Sequence, residues 1–238
     1  MKFPAPLIEG RLVQRYKRFL ADVELPGHGL VTAHCANPGA MLGLKEPGLK
    51  VWLSPAQNPN RKLNWDWQLC ETHDHGTKAF VGINTSHPNK IAAEAIAVAK
   101  IPELAGYETM RTEVKYGQNS RIDVLLEDAA KPTCYVEIKN VHLLRAPELA
   151  EFPDSVTARG AKHLDELANM VRAGHRAVML YVVQRDDASR MALAGDIDPK
   201  YAENFAAARK AGVEALAYSC KLDIEGIELD QRLDFQEL

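Results

Sequence analysis

The 238-residue sequence has few cysteines, no long apolar run and no large excess of charge of one sign. Its longest uninterrupted apolar run, Ala177–Val183, is far shorter than the ~20 residues that a membrane-spanning helix needs. Near the N-terminus, Pro4, Pro6 and Glu9 interrupt any apolar stretch of the kind found in secretory signals. We therefore expect a cytoplasmic protein that does not enter a membrane.

The four cysteines are far apart in the sequence, and no two of them form a CxxC pair. This spacing disfavours a structural zinc site or a redox-active disulfide, so four reduced thiols are the simpler interpretation. The sequence also lacks a P-loop, a GxGxxG motif and a GxSxG motif. The common phosphate-binding loops and the α/β-hydrolase nucleophile are therefore not indicated.

Charge is distributed unevenly along the chain. The net charge of −3 excludes a protein that is basic over its whole surface. Residues 1–84 nevertheless carry ten basic and seven acidic side chains, whereas residues 85–238 carry 19 and 25. This asymmetry makes the N-terminal segment the place to look for contact with a nucleic acid.

The secondary-structure pattern changes near Asn84. Residues 1–84 contain short apolar stretches separated by turn sequences such as Asn37-Pro38-Gly39, which predicts a small β-barrel of the OB type. After Pro88 the pattern predicts helices over 89–100, 156–172 and 199–210, and strands over 113–116, 121–127, 134–140, 177–184, 213–219 and 224–229. We therefore predict an α/β domain with a mixed sheet over residues 85–238.

Charged side chains occur on two neighbouring predicted strands, in Arg121-Ile-Asp123 and in Tyr135-Val-Glu137-Ile-Lys139-Asn140. Side chains alternate along a strand, so Glu137 and Lys139 share a face, and Asp123 can join them if the two strands pair. Paired carboxylates of this kind suit Mg²⁺ or Mn²⁺, and a nearby lysine can orient water or stabilise charge on phosphorus. On this pattern alone, an ordinary cross-strand pair of charges is an equal alternative.

The order of these elements resembles the core of the PD-(D/E)XK nuclease superfamily, which has a helix, three strands, a helix and a strand. The resemblance implies that Asp123, Glu137 and Lys139 are catalytic and that Asp123 and Glu137 bind the metal. The first helix often supplies a third carboxylate in that superfamily, and Glu94 matches this position. Lys162 and His163 on the second helix would contact phosphate beside the metal. The alternative for these helical residues is an ordinary helix surface.

A narrower resemblance extends over nearly the whole chain. It is carried by the segments Arg15–Phe19, His34–Gly39, Gly82–Thr85, Ser120–Asp123, Val136–Val141 and Phe152–Leu164. In these segments the sequence is similar to the sugar fermentation stimulation protein A family, which implies an OB-like domain over residues 1–84, a PD-(D/E)XK-like domain over residues 85–238, and DNA binding.

A basic cluster with interleaved aromatic residues lies near the N-terminus, and no acidic residue occurs between Gly10 and Ala21. OB folds bind nucleic acids through basic grooves and aromatic platforms. Given the family resemblance, we expect nucleic-acid contacts from Arg15, Tyr16, Lys17 and Arg18. Without it, a solvated first strand would be the preferred interpretation.

Two functions follow from these expectations. The first is a DNA-binding protein, with weak or no sequence specificity, that retains a phosphodiesterase site dependent on Mg²⁺ or Mn²⁺. The second is a DNA-binding transcriptional regulator of sugar (maltose) metabolism genes without catalytic turnover. A metal-binding protein with no nucleic-acid role is a third possibility, against which the basic N-terminal segment argues.

Overall fold

The computed structural model, which describes residues 1–117 and 120–236, begins with a closed β-barrel. The barrel strands are β1 (Ile8–Tyr16), β2 (Leu20–Leu25), β3 (Gly29–His34), β4 (Lys50–Pro55) and β5 (Trp65–Thr72), and β6 (Ala79–Gly82) extends the sheet beyond β5. Parallel pairing of Ala33 with Trp65 joins β3 to β5 and closes the barrel. The OB-type barrel predicted from the sequence is confirmed.

Alternation along the barrel strands fills the barrel interior. Ala21, Val23 and Leu25 of β2 point inward and are almost fully buried, as is Trp67 of β5. The intervening residues of β2 face outward, which is the pattern expected when one face of a sheet is solvated. Apolar alternation therefore determines which face of each barrel strand forms the core.

The rest of the described chain forms a mixed-sheet domain with few helices, as predicted. Its elements are α1 (His87–Ala97), β7 (Thr109–Tyr116), β8 (Ser120–Asp128), β9 (Lys131–Val141), β10 (Leu143–Ala146), β11 (Leu149–Phe152), α2 (Ala158–Arg172), β12 (Arg176–Val183), β13 (Arg190–Leu193), α3 (Pro199–Lys210), β14 (Glu214–Leu222), β15 (Ile227–Arg232) and β16 (Asp234–Gln236). One sheet has the strand order β15-β14-β12-β9-β8-β7, and a smaller sheet has the order β10-β11-β13-β16.

The central strand β12 is buried on both faces, as its continuous apolar sequence predicts. Val178, Leu180 and Val182 pack in the core beneath α1. This core also includes Trp52 and Leu69, which lie on the outer side of the barrel. The alternate residues of β12 pack in a second core beneath α2 and α3. The sheet is thus covered by helices on both faces, and the barrel packs on the side of α1.

Two helices begin at side chains that cap their first turn. The Oγ1 of Thr157 accepts a hydrogen bond from the backbone N–H of Gly160 at the start of α2 (3.1 Å). Asp198 accepts one from the backbone N–H of Tyr201 at the start of α3 (3.0 Å), as the Asp-Pro sequence predicts. Thr157 therefore precedes α2 as its cap, and the helix begins two residues later than its predicted start.

Three further features bear on the sequence-based expectations. The sequence pattern does not predict the smaller sheet, because strands of three or four residues are too short to show alternation. All four cysteines are buried free thiols. None of the helices in the described ranges combines the length and the apolar character that a membrane crossing requires.

Candidate active site

A polar cavity of about 670 Å³ opens at the point where β8 and β9 diverge. Beyond the last paired residues of these strands, Oδ2 of Asp123 accepts a hydrogen bond from the backbone N–H of Ile138 (2.7 Å). Asp123, Glu137 and Lys139 all line the cavity. The structure thus brings together the three residues that the sequence pattern singles out.

The two carboxylate oxygens of Glu137 have different surroundings. Oε1 accepts a hydrogen bond from Nζ of Lys139 (2.6 Å) and one from Nδ1 of His163. Oε2 is buried and has no hydrogen-bond partner within the described part of the chain. The side chain as a whole is only 3% exposed. A buried carboxylate oxygen without a partner is unfavourable, so this atom indicates a position where a ligand could bind.

His163 is a buried support for Glu137. Its Nδ1 contacts Glu137, and its Nε2 accepts a hydrogen bond from Nε of Arg159 (3.3 Å), which assigns the ring proton to Nδ1. The side chain is 8% exposed. Both ring nitrogens of His163 are used inside the protein, so its expected contact with phosphate stays a prediction while its observed contact is with Glu137.

Basic side chains surround the mouth of the cavity. Arg121 and Arg159 are exposed and line it, as does Lys162, whose Nζ lies 3.5 Å from a carboxylate oxygen of Glu166. Lys162 therefore lies at the mouth of the cavity, and its expected contact with phosphate stays a prediction. Together with the ammonium group of Lys139, these side chains give the cavity a positively charged rim above an acidic floor.

Glu94 does not join this cluster. Its carboxylate forms an ion pair with the N-terminal amino group of Met1 (2.9 Å) and lines a separate cavity of about 270 Å³. The residue of α1 that reaches Asp123 is Asn89, and a separation of five positions rotates Glu94 by about 140° around the helix axis. The helix acid expected from the sequence therefore lies on a different side of α1, away from the cavity.

Glu113 and Asn89 line the cavity and are not predicted from the sequence. The pairs Thr112–Val124 and Val114–Ile122 set the register of β7 and β8 and place Glu113 across from Asp123. Nδ2 of Asn89 donates to Oδ1 of Asp123 (2.8 Å) and to Oε1 of Glu113 (3.2 Å). The acidic residue in the second half of β7 is the available signal, but its register against β8 is not visible in the sequence.

The pKa values of the two central carboxyl groups shift in opposite directions. Burial, and then the negative charge of Glu137, raise the pKa of Asp123 to about 6. Burial also acts to raise the pKa of Glu137, but Lys139 and His163 outweigh it and lower that pKa. Such divergence between neighbouring carboxyl groups is frequent at catalytic and metal-binding sites.

The basic residues of the barrel differ in what they contact. Nη2 of Arg15 donates to the backbone oxygens of Arg18 (2.8 Å), Asn37 (2.8 Å) and Gly39 (3.0 Å), so Arg15 holds the loop that follows β3. The Tyr16 hydroxyl donates to Asp22 (3.2 Å). Lys17 and Arg18 are exposed at the β1–β2 turn, and Nη2 of Arg18 donates to the backbone oxygen of Pro38 (3.0 Å). Of the four expected nucleic-acid contacts, Lys17 and Arg18 are therefore the most accessible.

A second groove of about 340 Å³ continues from the cavity towards the barrel. The two spaces share Thr85, Lys139 and Thr157 as wall residues, and Arg18 lines the far side of the groove. The site and the β1–β2 turn thus lie along one continuous concave surface that both parts of the chain contribute to.

The carboxylate oxygens at the cavity are of the type that binds a hard divalent cation, but they do not already form a complete set of metal ligands. Within residues 1–117 and 120–236, no three His, Cys, Asp or Glu side chains form a ready metal-binding group. The carboxylates of Asp123 and Glu137 nevertheless supply the oxygen donors that Mg²⁺ and Mn²⁺ prefer, and one of these oxygens is buried and unpartnered. One or two protein carboxylates, with water and phosphate oxygens, are a usual set for Mg²⁺.

Comparison with protein families gives two matches that together span most of the chain. Residues 13–83 match the model of the SfsA N-terminal OB domain, and residues 86–226 match that of the sugar fermentation stimulation protein RE domain. The second match alone covers more than half of the chain.

Individual relatives are similar over nearly their full length. The sugar fermentation stimulation protein homologue of Paramagnetospirillum magneticum is 57% identical over 229 residues, which cover 96% of this chain and 95% of that protein. The homologue of Azorhizobium caulinodans is 58% identical, with 96% and 97% coverage. The structure of Pyrococcus furiosus SfsA in complex with Ca²⁺ superimposes with a TM-score of 0.86 at 28% identity, covering 99% of this chain and 98% of that one.

Proposed function

This chain belongs to the sugar fermentation stimulation protein family, and we propose that it binds DNA and hydrolyses phosphodiester bonds with Mg²⁺ or Mn²⁺ at Asp123, Glu137 and Lys139. The observation that carries the proposal is the buried, unpartnered Oε2 of Glu137 beside Asp123 in an open polar cavity. An unsatisfied buried acceptor costs about 1–3 kcal/mol, and a bound cation would remove that cost. The Ca²⁺ complex of the archaeal relative supports the same interpretation, because Ca²⁺ and Mg²⁺ both select oxygen ligands.

Asp123 and Glu137 would hold the cation. Lys139 and His163 occupy Oε1 of Glu137 and leave Oε2 available, while the backbone N–H of Ile138 fixes the carboxylate of Asp123. When bound, a divalent cation favours attack by water and offsets negative charge on the phosphate. The two carboxylates are thus oriented before the cation arrives, which is what a preorganised site requires.

Lys139 supplies a fixed positive charge at the wall of the cavity. Its side chain is only 14% exposed, and its Nζ lies 2.6 Å from Glu137 Oε1. A charge held in a partly dry site acts more strongly than one in bulk water. Lys139 can therefore orient the attacking water and stabilise the negative charge that develops at phosphorus.

The surrounding surface fits a nucleic-acid backbone. Arg121, Arg159 and Lys162 lie at the cavity, and the adjoining groove leads to Arg18. Phosphates contacted along this path would place one phosphodiester beside Asp123 and Glu137. Contacts of this kind read the backbone and not the bases, so we expect binding with little sequence preference.

Cleavage of labelled single- and double-stranded DNA, in Mg²⁺, Mn²⁺ or EDTA, tests the proposal. We expect cleavage with either metal and none with EDTA, and we expect Asp123→Asn purified in the same way to be inactive. Glu94→Gln, which alters an acid of the same domain outside the cavity, should retain activity. DNA retention without cleavage under all conditions would favour the regulator without turnover, and absence of DNA binding would overturn both functions.

A further inference from the structure

Glu113 has an unusual backbone conformation for a strand residue. It lies within β7 and has a φ of +54°, a left-handed conformation that a side chain with a Cβ rarely adopts. The strand pairs regularly with β8 on both sides of it. Local sequence preference does not account for this geometry, since glutamate has no special tolerance of positive φ.

Glu113 brings a third carboxylate to the cavity. Glu113 lines the cavity together with Asp123 and Glu137. Oε1 of Glu113 and Oδ1 of Asp123 both lie within 3.2 Å of the same nitrogen, Nδ2 of Asn89. The amide N–H groups of Asn89 therefore bridge two acidic oxygens that would otherwise repel each other.

An independent observation points to a ligand at this acidic group. Only 3% of the Glu137 side chain is exposed, and its Oε2 has no hydrogen-bond partner among the residues that the structure describes. A positive ligand at this position would meet Oε2 and the carboxylate of Asp123. Glu113 is exposed, so its side chain can turn towards the same ligand without disturbing the core.

We infer that Glu113 is the third carboxylate of the cation site, the role that the resemblance to nucleases implied for Glu94. The inference rests on the proposed function, because it assumes that Asp123 and Glu137 bind a divalent cation. Asn89 holds Glu113 and Asp123 beside each other through its N–H groups. The Glu113 carboxylate would join Asp123 and Glu137 as an oxygen donor to the cation.

Calorimetric titration of the purified full-length protein with Ca²⁺, without DNA, tests the inference. Glu113→Gln should weaken Ca²⁺ binding by roughly tenfold or more, the size typical when a supporting contact at a metal site is lost. Glu94→Gln makes the same chemical change on α1, where the carboxylate contacts Met1, and its affinity should equal that of the wild type. Asp123→Asn removes one of the two proposed carboxylate ligands, so its Ca²⁺ affinity shows the value expected when the cation site is lost.

A second variant keeps the inference testable if Glu113→Gln folds poorly. Glu113→Gly removes the carboxylate, and glycine adopts a φ of +54° without steric cost. We expect this variant to fold and to bind Ca²⁺ at least as weakly as Glu113→Gln. Melting of each protein without Ca²⁺ confirms that it is folded before titration.

The outcomes distinguish this inference from the proposed function. Weaker binding in both Glu113 variants, with Glu94→Gln unchanged, supports the inference. If Asp123→Asn abolishes binding and both Glu113 variants bind as the wild type does, the inference is wrong and the proposed site stands. If the wild type does not bind Ca²⁺, or Asp123→Asn binds it equally well, both are overturned.

Discussion

At the scale of single side chains, the surroundings of Glu137 explain how one carboxylate can be both buried and available. Lys139 and His163 share its Oε1, which keeps the group ionised and fixes its orientation, while Oε2 has no partner in the described parts of the chain. Arg159 in turn fixes the ring of His163. The supporting contacts thus determine which oxygen a cation can reach.

Lys139→Ala should separate cation binding from chemistry. An ammonium group is not a metal ligand, so Ca²⁺ affinity should be unchanged or higher once a nearby positive charge is removed. Cleavage with Mg²⁺ should fall by about 10²–10³-fold, because a charge that stabilises the transition state is lost. Calorimetry with Ca²⁺ and single-turnover cleavage measure the two effects separately.

Glu137→Ala is the matched variant on the same strand face. It should lose cation binding and cleavage together, because it removes a ligand. If Lys139→Ala lost Ca²⁺ binding as completely as Glu137→Ala, the lysine would have to be regarded as a structural support for the carboxylate. Equal cleavage by Lys139→Ala and the wild type would contradict its role in chemistry.

Sequence alone predicts part of this cluster for a physical reason. Glu137 and Lys139 are two positions apart on one strand, so alternation places them on the same face whatever the rest of the fold does. The choice between Glu94 and Asn89 depends on how α1 is rotated against the sheet. The place of Glu113 depends on its positive φ and on the register of β7 against β8. Both are tertiary properties that no local pattern contains.

At the scale of secondary-structure elements, the β1–β2 hairpin combines a supporting cation with accessible ones. Arg15 binds three backbone oxygens and Arg18 binds that of Pro38, so both contact the loop after β3, although Arg18 and Lys17 are themselves exposed at the turn. In the sequence these residues form one uniform basic cluster. The residues next to a side chain in the sequence do not indicate which atoms elsewhere in the barrel it contacts. Only the structure divides the cluster by role.

The double substitution Lys17→Ala and Arg18→Ala should weaken DNA binding mainly at low salt. Each phosphate neutralised on duplex DNA contributes ~0.9 to the slope of log affinity against log salt, so the slope should decrease by up to about 2. Affinity measured over a range of NaCl concentrations gives this slope. An unchanged slope would remove the hairpin turn from the DNA interface.

Arg15→Ala serves as the comparison within the same hairpin. Its substitution leaves the backbone oxygens of Asn37 and Gly39 without their donor and should lower the free energy of unfolding by about 1–3 kcal/mol. Urea denaturation measures this loss. A stable Arg15→Ala protein with a reduced salt slope would instead place Arg15 in contact with phosphate.

At the scale of the whole molecule, Asp154 joins the barrel to the mixed-sheet domain. Its Oδ2 accepts hydrogen bonds from the backbone N–H of Met41 (2.9 Å) and from Nε2 of His142 (3.3 Å). A Cβ at Gly39 would lie 2.5 Å from the same oxygen, so the close approach requires glycine. This contact lies in the wall of the groove that runs from Arg18 to the cavity. It joins residues more than a hundred positions apart, which is why sequence patterns do not predict it.

Asp154→Asn should destabilise the protein in a pH-dependent manner. Burial acts to raise the pKa of Asp154, but the contacts with His142 and Met41 outweigh it and lower that pKa to about 2, from 3.8. Because the folded pKa lies below the unfolded one, the ionised carboxylate stabilises the fold above about pH 4, and this contribution is lost as the pH falls towards 2. The difference between the pKa values corresponds to about 2 kcal/mol at pH 7. Urea denaturation of the wild type and Asp154→Asn at pH 7, 4 and 2.5 should therefore show a stability difference that shrinks at low pH, whereas a difference independent of pH would assign the effect to shape and not to charge.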